Sequence, residues 1–305
     1  MTVFVQKFAF WARVLVLVLG LVATLWLRRE LADRATPPPI PANPRRVVSL
    51  APSVTETLYA LDLGDRVVGR TRFCLYPPSV LSKPVVGGFS EVNYEAIVRL
   101  KPDLVAIPVD RLTSISRLNR LGLTTLALDT RSLSGFRASV LDLGQKLNHA
   151  KEAQAILDKL DQSVFKATKR SLGRPKPKVL FSVMRNYEGL GYVTEINAVG
   201  RDGFYDQILT IAGAENAYQG SLAFPRLSRE SIVFLNPDVI VDVIFGADDL
   251  ATIRRDWLSL SSVKAVVNDR IYFLTEQSDT VPGPRSYLTI DRLTDFFHPA
   301  VRETS

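Results

Sequence analysis

Asn93-Tyr94-Glu95-Ala96-Ile97-Val98-Arg99-Leu100-Lys101-Pro102-Asp103-Leu104-Val105 returns 135 residues later as Ser228-Arg229-Glu230-Ser231-Ile232-Val233-Phe234-Leu235-Asn236-Pro237-Asp238-Val239-Ile240. Six of the thirteen positions are identical at the same offset: Glu, Ile, Val, Leu, Pro and Asp. Asn93 and Ser228 are good helix N-caps, because a side-chain oxygen there accepts from an orphan helix N–H. Glu95 and Glu230 then fall in the first turn, where the helix dipole favours negative charge. A short amphipathic helix follows, and the proline ends it by disfavouring helical geometry in the residue before it. The apolar runs Leu104-Val105-Ala106-Ile107 and Val239-Ile240-Val241 read as buried strands. A helix–turn–strand unit present twice, about one domain length apart, predicts two similar lobes rather than a solenoid.

Outward from the first copy, Arg46-Val47-Val48-Ser49-Leu50 reads as a strand, with Ser53 expected to cap a helix running to Leu61. Asp62-Leu63-Gly64-Asp65 turns the chain into a second strand, Val67-Val68-Gly69. Residues 71–92 lack periodicity and are rich in aromatics, a candidate binding surface. A helix is expected over about 111–121 and a strand over 123–128; strands alternating with helices imply a parallel α/β sheet.

From Phe136 to Leu172 the pattern is helical, with a break at Asn148. Ala153, Ile156, Leu157, Leu160 and Val164 share one face at helical spacing. A helix over 149–171 would be roughly 33 Å long, a rigid strut, with Gly173 just past its end. The second lobe opens at Lys178-Val179-Leu180-Phe181-Ser182. Residues 184–201 read as irregular, 202–212 as a helix, Ile271-Tyr272-Phe273-Leu274 as a strand and 286–297 as a final helix.

The 305 residues carry a net charge of +7, and residues 1–35 hold five basic side chains against two acidic ones. No basic run interleaved with aromatics exists, which argues against a nucleic-acid partner. Cys74 is the only cysteine, so no disulfide framework forms within the chain. Residues 8–27 are almost wholly apolar. With Arg13 counted in, they are long enough to span a bilayer; without it, the core resembles a signal-peptide h-region. Arg28 and Arg29 follow directly and no small-x-small cleavage site is evident, which favours an uncleaved anchor over a cleaved signal. Either way the rest is expected to be exported. Five prolines in residues 36–44 make an extended tether. The expected division is therefore an anchor or signal over 1–35, a tether over 36–44, an N-terminal lobe over 45–148, a linking helix over 149–172 and a C-terminal lobe over 173–305.

Together these stretches resemble the periplasmic substrate-binding proteins of ABC importers for cobalamin and ferric siderophores, the class with a helical backbone between its lobes. The resemblance covers about Arg45 to Pro299. It is carried by Arg46–Ser53 with Thr55-Glu56, Leu61–Gly69, Tyr76-Pro77-Pro78, both repeat copies, Ala212-Gly213-Ala214-Glu215-Asn216 and Pro282-Gly283-Pro284-Arg285. It implies an α/β fold of two similar lobes with parallel-type sheets, joined by one long rigid helix, with ligand in the cleft between them. It further implies that Glu95 and Glu230 dock onto arginines of a membrane permease dimer driven by its ATPase. An Arg–carboxylate pair can be bidentate and directional.

Similarity to the cobalamin-binding members puts Phe73, Phe89 and Phe224 at cleft-lining aromatic positions, with Tyr76 on the same loop as Phe73. Aromatic faces suit a flat macrocycle or catecholate rings. Arg72, Arg185, Arg226 and Arg285 lie in or beside the cleft-forming loops, where guanidinium groups suit an anionic chelate or corrin side chains. The expected ligand is cobalamin or a ferric siderophore, carried by a monomer with no resident cofactor. Haem is the alternative, with Tyr76, Tyr187 or Tyr192 as iron ligand.

Only His149 and His298 exist, too few for a free-ion site of the usual kind. The metal is therefore expected to arrive already chelated. No Gly-x-Gly-x-x-Gly follows the first strand, and there is no phosphate loop or Gly-x-Ser-x-Gly elbow, which argues against an enzyme. A membrane-tethered sensor without a transporter is the third reading.

Overall fold

The structure, a computed structural model, describes residues 19–20, 22–24, 39–41, 43–88, 91–185, 191–244 and 249–299. Most of the apolar run at 8–27 falls outside them. Among the described residues no helix is long and apolar enough to cross a membrane.

The N-terminal lobe is a four-stranded sheet of β1 (Val47–Ser49), β2 (Val67–Gly69), β3 (Leu104–Pro108) and β4 (Thr125–Leu128), in the order β2-β1-β3-β4 and parallel throughout. Around it lie α1 (Pro52–Ala60), α2 (Tyr94–Arg99), α3 (Leu112–Arg120) and α4 (Leu133–Lys146). Ser53 is not the cap of α1. Ala51 holds the cap position and Pro52 the first turn, where its missing N–H costs nothing. Ser53 is buried one residue further in, its carbonyl accepting from Thr57.

The linking helix α5 runs Ala150–Ser171, after Asn148 turns the chain at φ 60°. The C-terminal lobe then forms from β5 (Lys178–Arg185), β6 (Glu195–Ala198), α6 (Phe204–Ile211), β7 (Glu215–Asn216), β8 (Arg226–Ser228), α7 (Arg229–Leu235), β9 (Val239–Val243), α8 (Leu250–Leu258), α9 (Lys264–Val267), β10 (Ile271–Leu274), α10 (Gln277–Thr280) and α11 (Ser286–Phe297). Its sheet runs β10-β9-β5-β6-β8, with β7 also on β5. The pairs β10–β9, β9–β5 and β5–β7 are parallel, whereas β5–β6 and β6–β8 are antiparallel. Strands β6 and β8 fall where the sequence reads as irregular or is left unassigned.

The repeat is a repeat of hydrogen bonds as well as of letters. Asn93 accepts from the Ala96 N–H at 3.0 Å, and the Ser228 hydroxyl accepts from the Ser231 N–H at 3.3 Å. Ile97 and Ile232 are fully buried on the outward face of their lobe's sheet. Each unit ends in a left-handed residue directly before the proline, Lys101 and Asn236, both at φ 45°. The aspartate then clips the lobe's first strand. The Asp103 N–H donates to the Arg46 carbonyl while its carboxylate accepts from the Arg45 and Arg46 N–H groups at 2.7 and 3.0 Å. Asp238 does the same with both backbone groups of Lys178, at 2.8 and 2.9 Å.

Asparagine tolerates the left-handed region; lysine adopts it at a cost of about 1 kcal/mol, which glycine avoids. Lys101→Gly is therefore expected to raise the urea midpoint of the whole protein, and a lowered midpoint would contradict the strain.

One apolar cluster runs through the whole molecule. It takes Val47, Leu104 and Leu128 from the N-terminal lobe, Ala153, Ile156, Leu157, Leu160 and Ala167 from α5, and Val179, Phe181 and Leu293 from the C-terminal lobe. Direct bonds cross the same boundary: the Leu133 N–H donates to Gln207 Oε1 at 2.7 Å, and Ser163 on α5 donates to the Tyr287 carbonyl at 3.0 Å.

Candidate functional site

The carboxyl ends of β2 and β10 face one another across the boundary between the lobes, the place of the expected cleft. The loop leaving β2 meets the segment leaving β10, where Gln277 Nε2 donates to the Phe73 carbonyl at 3.5 Å. In open α/β sheets this is the side on which ligands bind.

Arg70, which sequence reading passed over, organises the N-terminal wall. Its buried guanidinium donates to the carbonyls of Thr71, Cys74 and Leu81 at 3.1, 3.3 and 3.2 Å. Cys74 is fully buried, with Sγ 3.1 Å from the Thr71 hydroxyl. Gly87 closes the loop at φ 131°, where a Cβ would lie 2.2 Å from the Glu91 carbonyl oxygen. With its polar atoms turned inward, the loop presents Phe73, Leu75 and Tyr76 to solvent, each about half exposed. The Tyr76–Pro77 peptide is cis.

Across the cleft, Arg285 precedes α11. Its Nε and Nη2 donate to the two oxygens of Glu56 on α1 at 2.8 and 2.6 Å, and its guanidinium carbon lies 3.7 Å from the centre of the Tyr76 ring. The cation is thus shared by a carboxylate and an aromatic face, both from the opposite lobe. Burial pushes the Glu56 carboxyl above its ordinary value, and its bonds and attraction to Arg285 oppose that shift. Glu56 is the second residue the sequence reading missed as part of the site. The available signal was a glutamate on the same helix as the buried apolar Val54 and Leu58.

The other residues expected at the ligand divide. Arg72 is exposed and pairs with Glu91 at 3.2 Å. Phe224 is well exposed on the approach to β8, and Arg226 follows on that strand, paired with Glu195 of β6. Met184, Asn197 and Arg226 stand in register across β5, β6 and β8, and Met184 is exposed as well. Phe89 and Tyr187 lie outside the described residues; Tyr192 is half exposed in the C-terminal lobe.

Arg185 departs from the expectation of a ligand contact. Its side chain is only 4% exposed and is held inside the C-terminal lobe, with Nε 2.7 Å from Asp242 and Nη1 3.8 Å from Asp256. Trp257 Nε1 donates to the same Asp242 oxygen at 2.8 Å. Burial raises the Asp242 carboxyl to about 6, against the pull of Arg185 and the hydrogen bond from Trp257. The physical reason for the correction is that a guanidinium is buried only when a charge pays for it, and here two carboxylates from β9 and α8 do so.

Glu95 and Glu230 both stand exposed at the start of their helices, on the carboxyl-end side of the sheets. Helix α2 begins where the loop from β2 ends, and α7 follows β8 directly. Glu95 pairs with Arg99 one turn on at 2.5 Å. The Glu230 carboxyl is held below its ordinary value by hydrogen bonds from the Ser228 side chain and its own backbone N–H, so it is ionised at neutral pH.

The sequence model described as periplasmic binding protein matches residues 47–278. An uncharacterized ABC transporter substrate-binding lipoprotein of Bacillus subtilis is 31% identical over 268 residues, covering 85% of this chain and 82% of that protein. The vitamin B12-binding protein of Pectobacterium carotovorum is 25% identical over 262 residues, covering 83% and 88%. Among solved structures, the periplasmic vitamin B12-binding protein of Vibrio cholerae superposes with a TM-score of 0.71 at 21% identity, covering 83% of this chain and 96% of that one, a likeness of fold. Two α/β lobes bridged by one helix are the fold that this match describes, and the chain belongs to the periplasmic binding protein family.

Proposed function

We propose that the protein is the capture component of an ABC importer, holding a metal chelate, either cobalamin or a ferric siderophore, between its lobes. It then docks through Glu95 and Glu230 onto a permease dimer served by an ATPase. The observation that carries the ligand reading is the exposed apolar edge of Phe73, Leu75 and Tyr76 on the loop leaving β2, beside the Arg285–Glu56 pair that joins the lobes. Exposed aromatic faces suit a large, flat chelate. The relatives named for vitamin B12 support the same class. The apolar run at 8–27 would hold the protein at the outer face of the cytoplasmic membrane, in keeping with the lipoprotein relative. Tethering would then raise its concentration near the permease. The protein acts as a monomer.

Calorimetric titration of the purified protein with cyanocobalamin, cobinamide, a ferric siderophore panel and haem tests this. Submicromolar binding of one of the first three is expected, with Phe73→Ala and Tyr76→Ala each weakening it by about tenfold, roughly 1.4 kcal/mol. Binding of haem alone replaces the ligand class and keeps the importer; binding of none of them overturns the chelate reading.

A further inference from the structure

The two docking helices have the same backbone and differ at one place that matters for a partner. Helical residues four apart share a face. Four residues after Glu95 stands Arg99, which neutralises it at 2.5 Å, with about three quarters of both side chains exposed. Four residues after Glu230 stands Phe234, 88% exposed, the most exposed large apolar side chain among the described residues. Glu230 forms no ion pair with a lysine or arginine among the described residues; the neighbouring Arg229 is turned to the hydroxyl and carbonyl of Ser259 at 2.9 and 2.5 Å. Between the Glu and the variable position, Val98 and Val233 are exposed to similar degrees, 44% and 40%. Each lobe thus offers a carboxylate beside a valine; among the described residues, α7 alone adds an aromatic anchor there and α2 alone carries its own counter-ion.

Resting on the proposed importer role, we infer that docking is unequal: the C-terminal lobe makes the primary contact with the permease, through Glu230 and Phe234. The N-terminal lobe adds Glu95 only by exchanging Arg99 for a cation of the permease. The partner that fits is a membrane protein with two equivalent extracytoplasmic sites, each a guanidinium or ammonium beside an apolar recess. The carboxylate and valine recur at the same offset on both lobes, which calls for equivalent sites. Phe234 calls for the recess, since desolvated aromatic side chains are the usual anchors of interfaces while charges exposed at the rim contribute little.

The test uses the full chain and a permease–ATPase complex in nanodiscs, chosen as one whose ATP hydrolysis the wild-type protein stimulates. Affinities are read by biolayer interferometry. Glu230→Ala is expected to weaken binding about thirtyfold and Phe234→Ala at least tenfold. Glu95→Ala is expected to weaken it no more than about threefold, and Arg99→Ala to strengthen it about threefold. Phe234→Arg, which copies the N-terminal pattern, is expected to weaken binding about threefold more than Phe234→Ala, because it adds a counter-ion that must also be exchanged. Because these side chains are exposed, the melting temperature is expected to change by no more than about 3 °C and chelate affinity to stay at the wild-type value in every variant. Equal losses for Glu95→Ala and Glu230→Ala, with Phe234→Ala unchanged, overturn the inequality and leave the docking reading standing. No loss in the double variant Glu95→Ala with Glu230→Ala overturns both.

Discussion

A protein carrying Glu95→Ala together with Glu230→Ala is expected to bind its chelate as the wild type does and to lose about a hundredfold in permease affinity, with uptake falling in proportion. The separation of the two effects follows from where the carboxylates stand. Both are exposed at helix starts, and neither touches the cleft wall built by Arg70, Phe73, Tyr76 and Arg285. Within the fold, Glu95 has only the exposed pair with Arg99 to lose, and exposed pairs of this kind contribute little to stability. Against a partner the accounting changes. A carboxylate that meets a guanidinium at the centre of an interface is desolvated on both sides, and truncating one member leaves the other buried and unpaired. Permease affinity in nanodiscs and uptake by whole cells check the result. Unchanged uptake would falsify docking through these residues, and a loss of chelate affinity would show that the helices serve the cleft instead.

Arg185→Ala is expected to destabilise the protein by about 3–5 kcal/mol at pH 8, the usual result of leaving a buried carboxylate without its cation. At a urea slope of about 2–3 kcal/mol per molar, the unfolding midpoint drops by roughly 1–2.5 M. The loss depends on pH, and its sign is fixed by Asp242. In the wild type that carboxyl titrates near 6, above its ordinary 3.8, so the folded state holds the proton more tightly than the unfolded state. Stability therefore falls as pH rises from about 4 through 6. Removing Arg185 takes away an interaction that lowers this value, so Asp242 moves further up and the protonated carboxyl persists to higher pH. The difference between variant and wild type is thus largest at pH 8 and shrinks towards pH 5. Circular dichroism during urea unfolding at both values checks it; a pH-independent difference would mean that Asp242 is not the group left exposed to the loss.

The residues that made the fold legible are those whose requirements are local. Asn93 and Ser228 cap, Ile97 and Ile232 pack, Pro102 and Pro237 end the helices, and Asp103 and Asp238 clip the first strands; each leaves its mark within thirteen residues. The final helix over 286–297 and the break at Asn148 were equally plain from periodicity and turn chemistry. Strands β6 and β8 escaped because Glu195-Ile196-Asn197-Ala198 and Arg226-Leu227-Ser228 contain no apolar run. They owe their place to pairing with one another and with β5, a long-range preference that overrides local propensity. The site was legible to a smaller degree. Exposed aromatics on an aperiodic loop could be read from composition. The fate of an arginine could not: Arg185 is settled by Asp242 and Asp256, and Arg285 by Glu56, which lies 229 residues away. Charge partners so distant leave no trace in spacing.

The apolar cluster that runs from Val47 through Ala153 and Leu160 to Leu293 bears on how cargo leaves. Close-packed interiors do not deform continuously, and hinge closure needs a few residues free to absorb a change in dihedral angle. Here the crossing between the lobes is itself packed interior, so grip cannot be relaxed by the protein bending alone. On the proposed importer role, unloading would be a mechanical event imposed from outside, in which whatever holds the two lobes at once strains a stiff body and supplies the work.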